Sequence, residues 1–175
     1  MPGFSATPLD VTGLGSGVAA ITAAGLGGAD HTCALTSAGA VRCWGFNSVG
    51  QLGDGTTITR LTPVAVLGLS SGVAAITAAG SGIFGTACAL TGAGGAQCWG
   101  NNRFGNLGDG TTTTRLTPVD VLGASSGLVG ISAGLSHVCA VTSAGGVRCW
   151  GENVSGQLGD GTTQNRLTPV AVLGF

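Results

Sequence analysis

The stretch CALTSAGAVRCWG, residues 33–45, decides the fold of this chain, because it consists of two short apolar runs joined by a Ser-Ala-Gly turn. A five-residue connection places Cys33 opposite Cys43, which is the register of a β-hairpin with a glycine-bearing loop. The stretch returns twice, as CALTGAGGAQCWG at 88–100 and as CAVTSAGGVRCWG at 139–151. A hairpin is therefore predicted to be the repeating unit of the fold.

The hairpin belongs to a longer repeat with a period near fifty residues. Residues 7–61 and 62–116 are identical at 36 of 55 aligned positions, and the three tryptophans recur at spacings of 55 and 51. Self-similarity at such a period is typical of propellers and solenoids. We therefore divide a single domain, residues 1–175, into three units and an extra outer strand, at 7–61, 62–116, 117–167 and 168–175.

Each unit contains four predicted strands. In the first unit, the small apolar run 18–23 suits an innermost strand, the hairpin supplies 32–36 and 40–44, and TPVAVL at 62–67 follows a loop rich in Gly, Asn and Thr. A proline at the start of this last strand places it at a sheet edge, where a missing N–H donor costs little. Four antiparallel strands per unit predict an all-β propeller with three four-stranded blades.

The repeat resembles a known family. HTCALTSAGAVRCWGFNSVGQLGDGT, residues 31–56, and its two partners are similar to RCC1 (regulator of chromosome condensation) repeats, of the bacterial type, through the AL-T run, the WG-x-N-x-x-GQLG loop and the T-P-V strand. The resemblance covers nearly the whole chain and implies a closed ring, which usually has seven blades. The guanine-nucleotide exchange, chromatin binding and β-lactamase inhibition that it also suggests are not carried over, because the chain has no basic tail and its paired cysteines disfavour a nuclear role.

Three blades form only part of a ring. Both faces of a propeller blade are apolar because each packs on a neighbour, so an open fan exposes two faces of roughly several hundred Å² each. We expect two copies to meet head to tail about a two-fold axis and to close a six-bladed homodimer. The alternative is that the chain is a fragment of a larger secreted RCC1-repeat protein.

The outer strand occurs four times although there are three blades. Its first and last copies are TPLDV at 7–11 and TPVAVL at 168–173. We expect the last copy to stay on the third blade, because no chain crossing is then needed. The first copy either crosses to complete the last blade of a partner or is displaced.

The six cysteines form three pairs, each separated by ten residues. Facing positions on neighbouring strands lie within disulfide reach, and three pairs with none left over favour an extracellular or cell-surface location. The first ten residues contain no signal peptide, and reduced, buried thiols are the alternative. Zinc is disfavoured because no C-x-x-C pair exists. The predicted disulfides are Cys33–Cys43, Cys88–Cys98 and Cys139–Cys149.

Two other residue types recur once per repeat. The aspartate of each GDGTT motif is predicted to cap its own turn, with an arginine six residues later as partner; a calcium loop would need more acidic ligands. Each tryptophan is predicted to pack between blades, and a sugar-stacking ring, as in a lectin, is the alternative. These residues are Asp54, Asp109 and Asp160, their partners Arg60, Arg115 and Arg166, and Trp44, Trp99 and Trp150.

Blades one and two carry four extra residues between their first two strands. In the second blade this insert holds Ile83 and Phe84, apolar residues with no evident core to enter. Because loops of a rigid propeller commonly carry its function, one interpretation is an interaction spot. The other is that the pair covers the mouth of the central channel or meets a dimer partner.

Composition and motifs favour a non-enzymatic protein. A net charge of −1 with 7% charged residues creates no field that would attract nucleic acid or a membrane surface. No nucleophile elbow, paired-carboxylate site, metal site or cofactor motif is present, and a propeller lyase would require acidic or histidine residues, such as Glu152 and the two histidines, to converge at the mouth of the channel. Asn153-Val154-Ser155 fits the glycosylation pattern. The leading hypothesis is a scaffold or protein-interaction module that pairs with itself or with an unidentified protein, and the alternative is a carbohydrate-binding lectin.

Overall fold

The computed structural model describes residues 6–25 and 28–175, which form three four-stranded antiparallel sheets. Blade one contains β1 (Val18–Ala24), β2 (His31–Thr36), β3 (Val41–Gly45) and β4 (Arg60–Ala65). Blade two contains β5 (Val73–Ala79), β6 (Thr86–Thr91), β7 (Ala96–Gly100) and β8 (Arg115–Asp120). Blade three contains β9 (Leu128–Ala133), β10 (His137–Thr142), β11 (Val147–Gly151) and β12 (Arg166–Ala171). In each blade the strands lie side by side in chain order. The predicted all-β, three-bladed architecture is confirmed.

The central hairpin of each blade has the predicted register, with Cys33 opposite Cys43. Its turn is closed by a hydrogen bond from the Thr36 amide to the Ala40 carbonyl at 2.8 Å. Gly39 in this turn has φ +79°, and a Cβ atom there would lie 2.7 Å from the backbone nitrogen of Gly72. Glycine is therefore needed both for the backbone conformation and for the close approach of the next blade.

The outer strand begins and ends two residues earlier than predicted, at Arg60–Ala65 instead of 62–67. Arg60 pairs with Gly45 across a register shift in β3, and this extends the ladder toward the loop. The Val66 amide still bonds to the carbonyl of Val41 on β3, and the Val66 carbonyl accepts from the Leu69 amide at 3.3 Å, which begins the turn to the next blade. Pro63 sits inside an edge strand, as predicted from its missing donor.

The core lies between the blades. One face of blade one, with Cys33, Leu35 and Val41, packs on the face of blade two that carries Trp99. The opposite face of blade two packs in the same way on the face of blade three that carries Trp150. Two interblade cores therefore hold three blades together, and the outer faces of blades one and three remain without a neighbouring blade within the described residues.

The last copy of the outer-strand motif forms β12 and pairs with β11, as expected. Residues 8–11, in the first copy, are exposed and belong to no strand. No helix in the described part of the chain is long and apolar enough to cross a membrane.

Candidate interaction surfaces on the open blade faces

An indole hydrogen bond joins each pair of neighbouring blades. The Nε1 of Trp99 donates to the carbonyl of Gln51 in blade one at 3.0 Å. The Nε1 of Trp150 donates to the carbonyl of Asn106 in blade two at 2.9 Å. Both tryptophan side chains are fully buried, so each combines a large apolar contact with a satisfied polar atom.

A leucine on the outer strand forms the second interblade contact. Leu116 lies against Gly50, where an added Cβ atom would be 2.5 Å from its Cδ2 atom, and Leu167 lies against Gly105 in the same way. The carbonyls of these leucines accept hydrogen bonds at 3.0 Å from the amides of Gly55 and Gly110, respectively. Glycine at this loop position thus creates the recess that receives the leucine of the next blade.

The inner strands supply a third set of contacts. In each pair of blades a threonine hydroxyl of one inner strand accepts a hydrogen bond from an amide of the next, and the first residue of an inner strand donates its amide to the preceding hairpin turn. The bonds are Ala78 N to Thr22 Oγ1 and Ala133 N to Thr77 Oγ1, both 3.1 Å, and Val73 N to Gly39 O at 3.1 Å and Leu128 N to Gly94 O at 2.9 Å.

The outer face of blade one carries the groups that blades two and three use to contact the preceding blade, but no blade packs against them within the described residues. Leu61 is 92% exposed, whereas its equivalents Leu116 and Leu167 are 37% and 38% exposed. Ile21 is 64% exposed, while the equivalent isoleucines of blades two and three pack against interblade cores. Trp44 is only half-buried. This face presents the tryptophan and the leucine that would enter a preceding blade.

The outer face of blade three carries the complementary groups. Val141 is 41% exposed, whereas Leu35 and Leu90, its equivalents, are 4% exposed. A Cβ atom on Gly159 would meet only the side chain of Val172, while the equivalent glycines of blades one and two also meet a tryptophan ring. The recess at Gly156, which corresponds to Gly50 and Gly105, meets no leucine side chain within the described residues.

Three disulfides cross-link the hairpins, at Cys33–Cys43, Cys88–Cys98 and Cys139–Cys149, as predicted. Each joins directly opposite residues of the two central strands, with Cα atoms 4.1 Å apart. No free cysteine remains in the described residues. Three intact disulfides agree with an extracellular location.

Removing one of these disulfides is expected to destabilise the protein measurably. The Cys88→Ala/Cys98→Ala variant opens a closed loop of about 11 residues, which the chain-entropy treatment values at about 2.5 to 3 kcal/mol. Urea unfolding monitored by tryptophan fluorescence measures the loss. The matched control is the wild-type protein unfolded with and without reductant, since a full set of free thiols without any change in stability would contradict the expectation.

The three GDGTT aspartates lie in nearly identical turns. Oδ1 of Asp54 accepts hydrogen bonds from the Thr56 amide at 3.0 Å and hydroxyl at 2.7 Å, and Oδ2 accepts from Arg60 at 2.8 Å. Burial raises the pKa of this carboxyl, but the bonds from Thr56 and Arg60 outweigh it and hold the pKa below the ordinary value. In blade three the hydrogen bond from Thr162 is the main cause that lowers the pKa of Asp160 to about 2.

This geometry places each aspartate in a turn-capping position and leaves little capacity for a metal. The equivalent ion pairs of blades two and three join Asp109 to Arg115 at 2.8 Å and Asp160 to Arg166 at 2.6 Å. No group of three or more metal-binding side chains occurs within residues 6–25 and 28–175. The three side chains are therefore engaged in closing their own loops.

A buried asparagine at the start of each loop is a residue that sequence reasoning missed. The Nδ2 of Asn47 donates to the carbonyls of Thr56 and Ile58, each at 3.1 Å, and its Oδ1 accepts from the Leu52 amide at 2.9 Å. Asn102 makes the same three bonds, and Asn153 makes those to the Thr162 carbonyl and from the Leu158 amide. The signal that could have found them is the asparagine that recurs two residues after each WG pair.

Glycosylation at Asn153, suggested by its sequence pattern, is incompatible with this structure. The side chain is fully buried, and its amide donates to Asp160 Oδ1 at 3.1 Å and to the Thr162 carbonyl at 3.0 Å. An amide held in this way cannot reach a glycan donor while the loop is folded.

The insert of blade two forms a short 3₁₀ turn, Gly82–Phe84. The Gly82 carbonyl accepts from Gln51 Nε2 at 3.0 Å, and the Ile83 carbonyl accepts from Asn101 Nδ2 at 2.7 Å. Ile83 is 58% exposed, and Phe84 is half-buried. The backbone of the insert is thus fixed by both blades while the Ile83 side chain points into solvent. Part of the corresponding insert in blade one, residues 26–27, lies outside the described residues.

The candidate catalytic residues are not assembled into a site. His31 lies in blade one and is 1% exposed, and neither ring nitrogen has a hydrogen-bond partner among the described residues. Burial lowers the pKa of His31 to about 4, with partial opposition from the Asp30 carboxylate. His137 and Glu152 lie in blade three, where burial lowers the pKa of His137 and Glu152 opposes it. In the part of the chain that the structure describes, neither ring nitrogen of His31 is therefore paired with a nucleophile.

The tryptophans do not form a sugar-binding ring either. Trp99 and Trp150 are fully buried between blades, so their faces cannot stack on a carbohydrate. Only Trp44 has an accessible part. Trp44 lies on the outer face of blade one, which with the outer face of blade three carries interblade contact groups without their complement.

Four-stranded antiparallel blades joined by repeated tryptophan and leucine contacts define a β-propeller repeat protein. The family models described as Regulator of chromosome condensation (RCC1) repeat match residues 18–51 and 128–157 in one form, and 38–89, 94–141 and 144–175 in another. These matches cover well over half of the chain. The chain belongs to the RCC1-repeat family.

Relatives with other roles carry similar repeats. The human probable E3 ubiquitin-protein ligase HERC4 is 36% identical over 141 residues, 79% of this chain and 13% of the relative. The ultraviolet-B receptor UVR8 of Arabidopsis thaliana is 34% identical over 149 residues, 85% of this chain and 33% of the receptor. The chain thus spans at most a third of these two relatives.

Solved structures show the same fold. Yeast RCC1 (Prp20), crystallised with Kap60, superposes with a TM-score of 0.69 at 22% identity, over 89% of this chain and 37% of that one. Prp20p from Saccharomyces cerevisiae alone gives a TM-score of 0.66 at 23% identity, over 81% and 36% of the two chains. At this identity the likeness defines the propeller architecture.

Proposed function

We propose that this chain is a non-enzymatic protein-interaction module that completes its propeller with a second copy of itself, six blades in all. The observation that carries the proposal is the complementarity of its two open faces. Blade one presents the tryptophan and leucine of an interblade contact, and blade three presents the recesses that receive them. The same contact is formed twice inside the chain, between blades one and two and between blades two and three. This sequence therefore already forms two interfaces of the proposed kind.

A head-to-tail pair would satisfy both faces of each copy at once. The Trp44 indole of one copy would donate to the Gln157 carbonyl of the other, as Trp99 does to Gln51. Leu61 would enter the recess at Gly156. A two-fold axis makes the second interface identical to the first, so the assembly closes and leaves no unpaired blade face.

The character of the surfaces supports a protein as the partner. A net charge of −1 gives no attraction to nucleic acid or to an anionic membrane, whereas the exposed Leu61, Ile21 and Val141 form apolar patches on two opposite faces. The disulfides support an extracellular setting. Blades supplied by a longer polypeptide would use the same contacts, and the experiment below separates the two cases.

Light scattering coupled to size exclusion tests the proposal. The wild-type protein is expected to have twice the chain mass of 16.7 kDa. Leu61→Asp places a carboxylate in the apolar recess and is expected to shift the protein to a monomer, because desolvating an unpaired charge is costly. The matched control is Leu122→Asp, which changes a 52%-exposed leucine on blade two, away from both open faces.

The outcomes are distinct. A dimer that is lost in Leu61→Asp and retained in Leu122→Asp supports ring closure by a second copy. A wild-type protein that is monodisperse at 16.7 kDa, with a native near-ultraviolet spectrum, would overturn it and leave blades of a longer polypeptide as the partner.

A further inference from the structure

The end of blade two at which its insert lies carries a surface that we call the blade-two patch. It consists of Ile83 on the insert and of Arg103 and Phe104 on the loop that follows β7. The insert precedes β6 and the loop follows β7, and these strands are antiparallel neighbours, so both connections lie at the same end of the blade. In blade one, whose equivalent loop packs on blade two, Ser48 and Val49 take the places of Arg103 and Phe104. The interblade contact therefore does not require an arginine and a phenylalanine at these positions.

A buried asparagine holds the two parts of the patch together. The Nδ2 of Asn101 donates to the Ile83 carbonyl at 2.7 Å, and its Oδ1 accepts from the Arg103 amide at 3.1 Å. The backbone amide of Asn101 donates to the Gly85 carbonyl at 2.8 Å, and its carbonyl accepts from the Thr86 hydroxyl at 3.0 Å. Neither of the other two blades has an asparagine at this position. The backbones of residues 83 and 103 are therefore fixed relative to each other by an arrangement particular to blade two.

The insert is also tied to blade one. The Gly82 carbonyl accepts from Gln51 Nε2 at 3.0 Å, and the Gly82 amide donates to the Ala29 carbonyl at 2.9 Å. On this fixed backbone the Ile83 side chain is 58% exposed. An apolar side chain on a backbone that is already ordered gives up little conformational freedom when a partner covers it. The patch lies at the junction of blades one and two, so a second copy packed on the outer faces of blades one and three would leave it uncovered.

The patch also carries the positive charge of Arg103. The guanidinium lies over the Phe104 ring, with its Cζ atom 5.4 Å from the ring centroid. It takes part in no ion pair within residues 6–25 and 28–175, whereas the arginines of the GDGTT loops are each held by an aspartate. A guanidinium stacked on a ring keeps the N–H groups at its edge available, and a carboxylate can accept two of them at once. An exposed apolar side chain and this guanidinium are thus presented on either side of Asn101.

We propose that the blade-two patch binds an extended segment of a partner protein in which a carboxylate side chain neighbours a bulky apolar one. The apolar side chain packs on Ile83 and on the half-buried Phe84 ring, and the carboxylate accepts two hydrogen bonds from Arg103. A single arginine is too little for nucleic acid, whose phosphates require many cations. The segment that fits is therefore acidic and apolar. This binding goes beyond the proposed self-association, because it uses none of the residues of the two open faces.

Selection from a displayed library of short random peptides tests the proposal, with the immobilised full chain as the target. Peptides that also bind the Ile83→Ser/Arg103→Gln variant are removed first. We expect the retained peptides to share an aspartate or glutamate beside a bulky apolar residue. A synthetic peptide of that sequence is then titrated by fluorescence anisotropy, where Ile83→Ser and Arg103→Gln are each expected to weaken binding about tenfold or more, as central interface contacts do. Both side chains are exposed, so the variants should keep the wild-type stability.

Ile58→Ser and Arg42→Gln are the matched controls, since Ile58 is 59% exposed on a loop of blade one and Arg42 is exposed on β3, both outside the patch. They should leave peptide binding unchanged. Arg103→Glu should prefer the peptide whose acidic residue is replaced by lysine, which would show a direct charge pair. A selection that yields no peptide dependent on both patch residues, or a common sequence without an acidic residue, overturns the proposal. Light scattering of the same proteins reads the proposed dimer separately.

Discussion

Trp99→Ala is expected to lose a large part of the folding stability, whereas Trp44→Ala is expected to stay folded and to become monomeric. Trp99 is fully buried between blades one and two, and its indole satisfies the Gln51 carbonyl. Removing a buried tryptophan costs about 3 to 5 kcal/mol through lost contacts and the cavity left behind, a large part of the 5 to 15 kcal/mol typical of a domain. Denaturant unfolding of both variants measures the difference.

The same substitution at Trp44 separates assembly from folding. Its side chain is half-buried on the outer face of blade one, so the isolated chain loses less by its removal than it does at Trp99. In the proposed ring, however, Trp44 is buried and bonded as Trp99 is. We therefore expect Trp44→Ala to elute as a folded monomer at concentrations where the wild-type protein is a dimer.

The comparison can fail in two ways. A Trp44→Ala protein that remains dimeric would show that the outer face of blade one does not form the interface. Equal losses of unfolding free energy in the two variants at a protein concentration low enough for the wild type to be monomeric would show that Trp44 is already buried in the single chain.

The blades and their disulfides were predictable because their pairing is local. Cys33 and Cys43 are joined by a short turn whose length fixes the register, and the register alone brings the two sulfur atoms together. Repetition then confirmed the pattern at two more places in the chain. Strand ends differed, as for β4, which begins at Arg60 beside its ion pair with Asp54 of the preceding loop and ends before the turn at Val66.

The interblade contacts were less accessible to sequence reasoning. The position of the tryptophans between blades could be predicted from their size and apolarity. The hydrogen-bond acceptor of Trp99, however, is a backbone carbonyl 48 residues away. Every residue has such a carbonyl, so the sequence does not indicate which one is used. The recesses at Gly50 and Gly105 could not be predicted for a related reason. From the sequence alone each glycine indicates a turn, and only the structure shows that a leucine of the next blade packs against it.

His31 shows a different limit. The side chains of His31 and Thr32 lie on opposite faces of the sheet, and the sequence did not indicate which of the two is buried. The position equivalent to His31 is Thr86 in blade two, which is also fully buried, and His137 in blade three, which is only half-buried. Its environment depends on how the insert closes over the strand, which the repeat does not specify.

The burial of His31 is expected to make folding stability fall as the pH is lowered from about 6.5 to about 4. Burial holds the ring neutral in the folded protein and depresses its pKa from 6.5 to about 4. The unfolded chain binds the proton first, so unfolding takes up a proton in this interval and stability rises with pH. The depression corresponds to about 3 kcal/mol by pH 4, with no contribution above pH 6.5.

Urea unfolding at several pH values between 4 and 7 measures this slope. The matched variant is His31→Thr, since threonine occupies the same position in blade two. There the Thr86 hydroxyl donates to the Asn101 carbonyl at 3.0 Å, so a threonine at 31 has an equivalent acceptor in the carbonyl of Phe46. The variant lacks the titrating ring, and its remaining slope in this interval should belong to His137, whose lowered pKa acts in the same direction.

The comparison of slopes does not depend on whether the substitution itself stabilises or destabilises the protein. His31→Thr changes the volume of a buried side chain, which shifts stability at every pH by a constant amount, whereas the titration changes only the pH dependence. The aspartates at 54, 109 and 160 do not interfere, because their pKa values are held below 3.8 and the stability they contribute is lost below that pH. Identical slopes for the two proteins between pH 6.5 and 4 would show that His31 is protonated equally in the folded and unfolded states, and therefore that the ring is not sealed from water.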